Sequence, residues 1–233
     1  MRLYSTNIIS GWRGMVMSLR LIGDTHGKVD RYLALCREAD YNEIPTLQIG
    51  DFGWATHWAY IYKKGLDHKR HKFFGGNHDD YEIYNENKYS IGDYGYYVHG
   101  NIDLFFVRGG FSIDHRFRTP GKDLFREEEL NYTQLMSAVE SYADIKPDIV
   151  ITHEAPRSIA KLIGNPLFLR DWGYDPDRFT TRTSEALERM LEIHKPKFWY
   201  FGHFHLTWKS IIDGVHFQCL NELEYVDITS NNA

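Results

Sequence analysis

Cysteine is scarce: Cys36 and Cys219 are the only two in 233 residues. They lie far apart and belong to no Cys-x-x-Cys pair, which excludes a disulfide framework, a thiolate zinc site and a dithiol redox motif. Both are expected to be buried or incidental thiols. Positive charge is not in excess either. The formal net charge is -5, so the chain exerts no global pull on phosphate polymers or anionic lipid, and a phosphate-bearing substrate must be attracted locally. No run approaches the roughly 18 apolar residues of a membrane span, and the N-terminus lacks a signal-peptide core of about 7–15 apolar residues. No membrane association and a cytoplasmic location are the resulting expectations. Internal repeats, low-complexity tracts and linkers are also missing. At 42% hydrophobic and 25% charged, the composition suits one α/β domain with a sizeable core.

Residues 1–16 carry no sustained period, and a leader or loose extension is expected there, with Met15 or Met17 nearer the functional start. A single domain is expected over 17–233. Apolar strands at Leu19–Ile22, Thr46–Ile49 and Lys72–Phe74, with a helix over Val29–Ala39 between the first two, form the alternation of βαβ units. Tyr94–His99 and Ile102–Val107 flank Gly100-Asn101, a two-residue turn suited to a hairpin. Helices are predicted over Leu130–Tyr142 and Ser184–His194. Short strands follow at Ile149–Thr152, Phe198–Phe201 and Ser210–Gln218, the last broken by a turn at Asp213-Gly214. The second part of the chain is therefore antiparallel in places.

The unusual residues sit at one kind of place. Asp24-Thr25-His26-Gly27, Gly50-Asp51, Gly75-Gly76-Asn77-His78-Asp79, Thr152-His153-Glu154 and Gly202-His203-Phe204-His205 each follow an apolar strand. Strand C-termini form the ligand-binding edge of open α/β sheets. Asp24 and His26, one residue apart, project to the same side of an extended segment and can grip one ion. Asp51 follows Asp24 by 27 residues and Asn77 follows Asp51 by 26, about one βαβ step each. Carboxylate, amide and imidazole donors without thiolate suit manganese, iron, zinc, cobalt or nickel, with manganese placed first. Seven candidate ligands exceed what one open ion site needs and suit two ions sharing a carboxylate. Two ions about 3.5–4 Å apart deprotonate a bridging water and clamp phosphate oxygens for in-line attack. His78, beside Asn77, is the candidate proton donor to the leaving group, and Asp79 the residue expected to orient its ring and hold it charged.

These five blocks, in this order from about residue 19 to 220, resemble the calcineurin-like metallophosphoesterases. The resemblance implies a two-sheet α/β/β/α sandwich. It also implies a first metal on Asp24, His26 and His205, a second on Asn77, His153 and His203, a bridging Asp51, and His78 with Asp79 at the leaving group. Protein Ser/Thr phosphatases carry a further Asp-Arg-Gly after the second block and Asn-His-Glu in the third. Here the sequence reads Asp51-Phe52-Gly53-Trp54 and Asn77-His78-Asp79, so that branch is disfavoured. Gly109-Gly110-Phe111-Ser112-Ile113-Asp114 and Thr152-His153-Glu154-Ala155-Pro156 are similar to the small bacterial and phage members.

The implied activity is hydrolysis of phosphodiesters or phosphomonoesters by a metal-bridging hydroxide, on small or nucleotide-like substrates. A nuclease acting on DNA or RNA and a metal-binding interaction domain without catalysis are the alternatives. Arg116 and Arg118 are read either as a fork onto substrate phosphate or as partners of Glu127–Glu129. His68-Lys69-Arg70-His71-Lys72 is read as a solvated face ahead of a nucleic-acid contact. Tyr81, Tyr84, Tyr89, Tyr94, Tyr96 and Tyr97, with Trp54 and Trp58, are read as core or rim packing ahead of base stacking. His57, His68, His71, His99, His115, His194 and His216 are taken as structural or solvated.

Overall fold

The computed structural model describes residues 18–53, 61, 64–84 and 87–229. The leader over 1–16, His57, Trp54 and Trp58 fall outside them. Among the described residues, ten strands make two sheets. The first has the order β10(Tyr225–Thr229)-β1(Ser18–Ile22)-β2(Thr46–Ile49)-β3(His71–Phe74); the second runs β4(Tyr94–His99)-β5(Ile102–Val107)-β6(Ile149–Thr152)-β7(Phe198–Phe201)-β9(Val215–Cys219)-β8(Trp208–Ile212). β1, β2 and β3 are parallel, as are β5, β6, β7 and β9. Antiparallel pairing is confined to β10 on β1, the β4–β5 hairpin and the β8–β9 hairpin.

Period-2 alternation decides which side chain fills which layer. In β5, Ile102, Leu104 and Phe106 point inward and meet Leu19, Leu21, Leu47, Ile49 and Phe74 of the first sheet, together with Ile149, Ile151 and Tyr200. Their neighbours Phe105 and Val107 point outward, with Val150, Trp199 and Phe201, against the helices α3(Tyr132–Ile145), α4(Arg157–Ile163) and α6(Arg182–Ile193). On the far side of the first sheet, Ile22 and Phe73 pack on Val29, Tyr32, Leu33 and Cys36 of α1(Val29–Tyr41). The result is an α/β/β/α sandwich in which the parallel strands are largely buried on both faces, the reason β6 and β7 read as near-continuous apolar runs.

Local chemistry sets several boundaries. α3 starts two residues later than the apolar pattern implied, because Asn131 caps it in a reciprocal box with Gln134. α6 starts two earlier, because Thr181 is its cap. β3 gains His71, whose ring is buried between Thr46 and Asp40. The short helices α2(Tyr81–Tyr84), α4 and α5(Pro166–Asp171), and the edge strand β10, had no sequence-based expectation. Tyr81, Tyr84 and Tyr89 are core residues, as are both cysteines. In the basic run, Arg70 and His71 both turn to Asp40. Among the described residues no helix is long and apolar enough to cross a membrane.

Candidate metal centre

All seven candidate ligands converge where the C-terminal ends of the two sheets meet. β1 delivers Asp24 and His26, β2 Asp51 and β3 Asn77; from the second sheet β6 delivers His153, and β7 His203 and His205. Four of the seven occupy left-handed backbone: His26 (φ 44°), Asp51 (φ 53°), His203 (φ 68°) and His205 (φ 51°). Non-glycine residues rarely adopt that region, at a cost of roughly 1–3 kcal/mol each, and such residues cluster at functional sites. Glycine supplies the room. Gly50 (φ +106°) lies so close to His153 that a Cβ would sit 2.2 Å from its Nδ1. A Cβ on Gly76 would lie 2.3 Å from Asp51 Oδ1 and 2.6 Å from His153 Nε2.

Two donor groups share one carboxylate. Asp24, His26, Asp51 and His205 form the first, and Asp51, His153 and His203 the second. In the first, His26 Nε2 and His205 Nε2 face each other at 2.8 Å, and His205 Nε2 is 3.2 Å from Asp24 Oδ2. In the second, Asn77 Oδ1 lies 3.0 Å from His153 Nε2 and 2.8 Å from His203 Nδ1. His153 Nε2 is also 3.3 Å from Asp51 Oδ1, and its Nδ1 is 3.0 Å from the Ile49 carbonyl oxygen, a contact that fixes the ring. Asp51 Oδ1 accepts the His78 backbone N–H at 2.8 Å, while Oδ2 is buried without a hydrogen-bond partner. Asp24, Asp51, Asn77 and His153 are buried, whereas His26 and His78 are partly open and His205 is exposed. The centre has a closed floor and an open mouth.

The electrostatics fit a cation. Burial works to raise Asp24, but hydrogen bonds with His205 and His26 outweigh it and hold the carboxyl at about 2. Asp51 is likewise held well below the carboxylate range, the charge of His153 leading against burial. His153 shows the converse: burial disfavours its charge, yet Asp51 lifts it to about 10. Burial and the neighbouring His153 push His203 down to about 3, leaving a neutral imidazole able to ligate. Without an ion, therefore, a proton on His153 balances the buried carboxylates. Two imidazole nitrogens 2.8 Å apart and an orphaned carboxylate oxygen are what an ion between them would satisfy.

Asp79 departs from its expected role. Its carboxylate accepts backbone N–H groups of Phe52 (3.2 Å), Gly53 (2.9 Å) and Gly76 (2.8 Å). It ties the loop after β2 to the loop after β3 and does not hold His78 charged. Burial, with Asp51 adding to it, raises Asp79 to about 7, while burial lowers His78. The partner of His78 Nε2 is Arg118, whose Nη2 lies 2.8 Å away. Arg118 is in turn gripped by Asp114 at 2.7 Å and Glu128 at 3.7 Å. The two arginines thus part company. Arg118 enters the site and also pairs with Glu128, whereas Arg116 is exposed and stacks over Tyr174 at 5.4 Å. Sequence reasoning missed Ser112, Glu128 and Glu154. Ser112 accepts from Asn77 Nδ2 at 3.0 Å. Glu154, next to His153, takes the Thr181 hydroxyl at 2.7 Å and leaves its second oxygen unpartnered. Ser112 and Glu154 stood inside the blocks Gly109–Asp114 and Thr152–Glu154, and Glu128 inside Glu127–Glu129, but nothing in their spacing pointed to a role beside the ligands.

No curated protein sequence matches the chain. Among solved structures it is similar to TT1561 of Thermus thermophilus, with a TM-score of 0.57 at 11% identity over 93% of this chain and 100% of that one. It is also similar to a putative 5'-nucleotidase from Staphylococcus aureus, with a TM-score of 0.52 at 12% identity over 92% of this chain and 51% of that one. At such identities the likeness is one of fold. The model of the family described as calcineurin-like phosphoesterase matches residues 17–206. With that match covering most of the chain, and every strand-end block inside it, the protein belongs to the calcineurin-like phosphoesterase family.

Proposed function

We propose that the protein is a binuclear metal-dependent hydrolase of small phosphodiesters or phosphomonoesters, nucleotide-like compounds included. The observation that carries this reading is the sharing of Asp51. Its two oxygens face two donor groups, Oδ1 toward His153 at 3.3 Å and Oδ2 toward His26 at 3.7 Å, and Oδ2, with His78 Nε2 3.9 Å away, accepts no hydrogen bond. Asp24, His26 and His205 would hold one ion and Asn77, His153 and His203 the other, with manganese first among the candidates and iron, zinc, nickel or cobalt behind it. Bound there, such ions supply Lewis-acid polarisation of the phosphoryl group and an activated water.

The chain's own groups do the rest. The His78 backbone N–H fixes Asp51 Oδ1, so the shared carboxylate keeps one orientation. Arg118 brings a positive charge beside His78, which attracts a phosphate oxygen to the site. Arg118 donates to His78 Nε2, and burial, with Arg118 adding to it, lowers the His78 imidazole. A phosphate oxygen that takes Arg118 as its partner would leave Nε2 to pick up a proton from solvent, and that proton would then pass to the departing oxygen. The nuclease alternative gains nothing from the net charge of -5. A metal-supplemented screen tests the reading with bis-p-nitrophenyl phosphate, p-nitrophenyl phosphate, cyclic nucleotides and single-stranded DNA. Hydrolysis of the small esters, abolished by chelation, is expected. A folded, metal-loaded protein that cleaves none of them contradicts it.

A further inference from the structure

An amide side chain ligates a metal only through its oxygen, and the two ends of an Asn amide are nearly the same size. Something must therefore choose which end of Asn77 faces the ions. The segment between β5 and α3 supplies it. Asn77 Nδ2 donates to Ser112 Oγ at 3.0 Å, and the Ser112 hydroxyl proton goes to Glu128 Oε2. Glu128 cannot turn away, because its Oε1 accepts the Phe125 backbone N–H at 3.1 Å and faces Arg118 at 3.7 Å. All three residues are buried, Asn77 at 3%, Ser112 at 1% and Glu128 at 5% exposure, so water does not substitute for a missing partner.

Each group has one role open to it. Burial raises Glu128 to about 7; ionised above that, with Arg118 3.7 Å from Oε1, it only accepts, so Ser112 must donate to it, and a hydroxyl whose single proton is spent only accepts from its other neighbour. Asn77 is then forced to present NH2 to Ser112 and its oxygen to His153 and His203. The reversed amide would set a carbonyl oxygen against a serine oxygen with no proton between them, and an NH2 against the ion. We propose that Ser112 and Glu128 are positioning residues that lock the Asn77 amide with its oxygen toward the second metal. The inference rests on the binuclear reading, and it makes the chain of Glu128, Ser112 and Asn77 the outer support of one ion only. Glu128 also faces Arg118, so the same carboxylate braces the ligand Asn77 and the partner of His78.

Partners of metal ligands typically contribute about 10–100-fold in metal affinity. Manganese(II) titrations of the full chain, resolved into two affinities by calorimetry, test the proposal on wild type, Ser112→Ala, Ser112→Thr and Asn77→Asp with and without Ser112→Ala. Ser112→Ala is expected to weaken one site about 10–100-fold and leave the other within about twofold. Ser112→Thr, which keeps the hydroxyl, should restore it. The deciding comparison is the Asn77→Asp background: a carboxylate ligates through either oxygen and needs no orienting, and its outer oxygen meets Ser112 Oγ with no proton between them, so Ser112→Ala should there weaken neither site. A merely structural Ser112 would cost the same in both backgrounds. Wild-type affinity in Ser112→Ala, equal weakening of both sites, or a penalty that persists beside Asn77→Asp overturns the proposal. A wild type with a single ion site contradicts the binuclear reading instead, and the effect of Ser112→Ala on that ion still decides this one.

Discussion

Asp51→Asn exchanges one oxygen for an amide nitrogen at the centre of the site and removes one charge. The variant fits sterically. Its remaining oxygen keeps the His78 N–H, and the nitrogen takes the place of Oδ2, which has no hydrogen bond to lose. The damage is electrostatic. A unit charge acting at about 4 Å through an effective dielectric of about 20 contributes about 4 kcal/mol, and a ligand stands closer than that. At about 1.4 kcal/mol per tenfold, each ion loses roughly a thousandfold in affinity. Both suffer, because Asp51 belongs to both donor groups. His26→Ala removes a neutral donor from one group only and should weaken one ion. Elemental analysis after equilibration at graded free manganese reads both variants against wild type, with circular dichroism to confirm folding. Loss of a single ion in Asp51→Asn, or equal loss of both in His26→Ala, refutes the shared-carboxylate reasoning.

Three further outcomes follow from the geometry. Gly76→Ala drives a Cβ to 2.4 Å from the Asp51 backbone nitrogen, an overpacking worth about 1–3 kcal/mol; a thermal melt should fall by several degrees, and an unchanged melt contradicts the contact. In the metal-free protein, His153 held at about 10 and burial-raised Glu154 at about 8 bind protons more tightly folded than unfolded. Their stabilisation is complete below about 6.5 for His153 and about 4.5 for Glu154, and is lost as pH climbs through about 10 and about 8. Above about pH 7, where His203, His78 and the other histidines lowered by burial are neutral folded and unfolded, the melting temperature of the metal-free chain should therefore fall toward about pH 9, and a rise would contradict the assignment. His78→Gln should retain both metals yet lose activity, by about 10²–10⁴-fold on an alkyl or nucleoside ester and much less on a p-nitrophenyl ester, whose leaving group needs little protonation. Equal losses point to substrate or metal positioning, and lost metal would make His78 a ligand.

The placement of the seven donors was legible because each follows a strand whose apolar run announces its own end. That Asp24, Asp51 and Asn77 come from one sheet and His153, His203 and His205 from the other was not readable from the strand pattern itself, since strands of either sheet can carry apolar runs that end on polar blocks; the two-sheet sandwich came from the family resemblance. Asp79 defeated its expected role for a different reason. Adjacency to His78 suggested a side-chain pair, but the left-handed turns around Gly50, Asp51 and Gly53 aim backbone N–H groups at it, and backbone direction is invisible in a residue string. The crowded tyrosines divided by burial: Tyr81, Tyr84 and Tyr89 fill the core, while Tyr96 stays 45% exposed on β4. Arg116 lies inside the 3-10 helix His115–Phe117 and Arg118 is the extended residue that ends it, which sends one guanidinium to Tyr174 and the other to His78. Strand β10 escaped notice because Tyr225 to Thr229 alternates polar and apolar residues on an edge, a weak signal after the acidic Glu222 and Glu224.

The central claim is that catalysis needs two ions held around Asp51. It is tested most directly by titrating manganese into chelator-stripped protein while following bound metal and bis-p-nitrophenyl phosphate hydrolysis in the same samples. The account predicts no turnover in the stripped protein, and activity that rises until two ions are bound per chain and then levels. Activity that saturates with one ion bound, or that survives complete removal of metal, contradicts it.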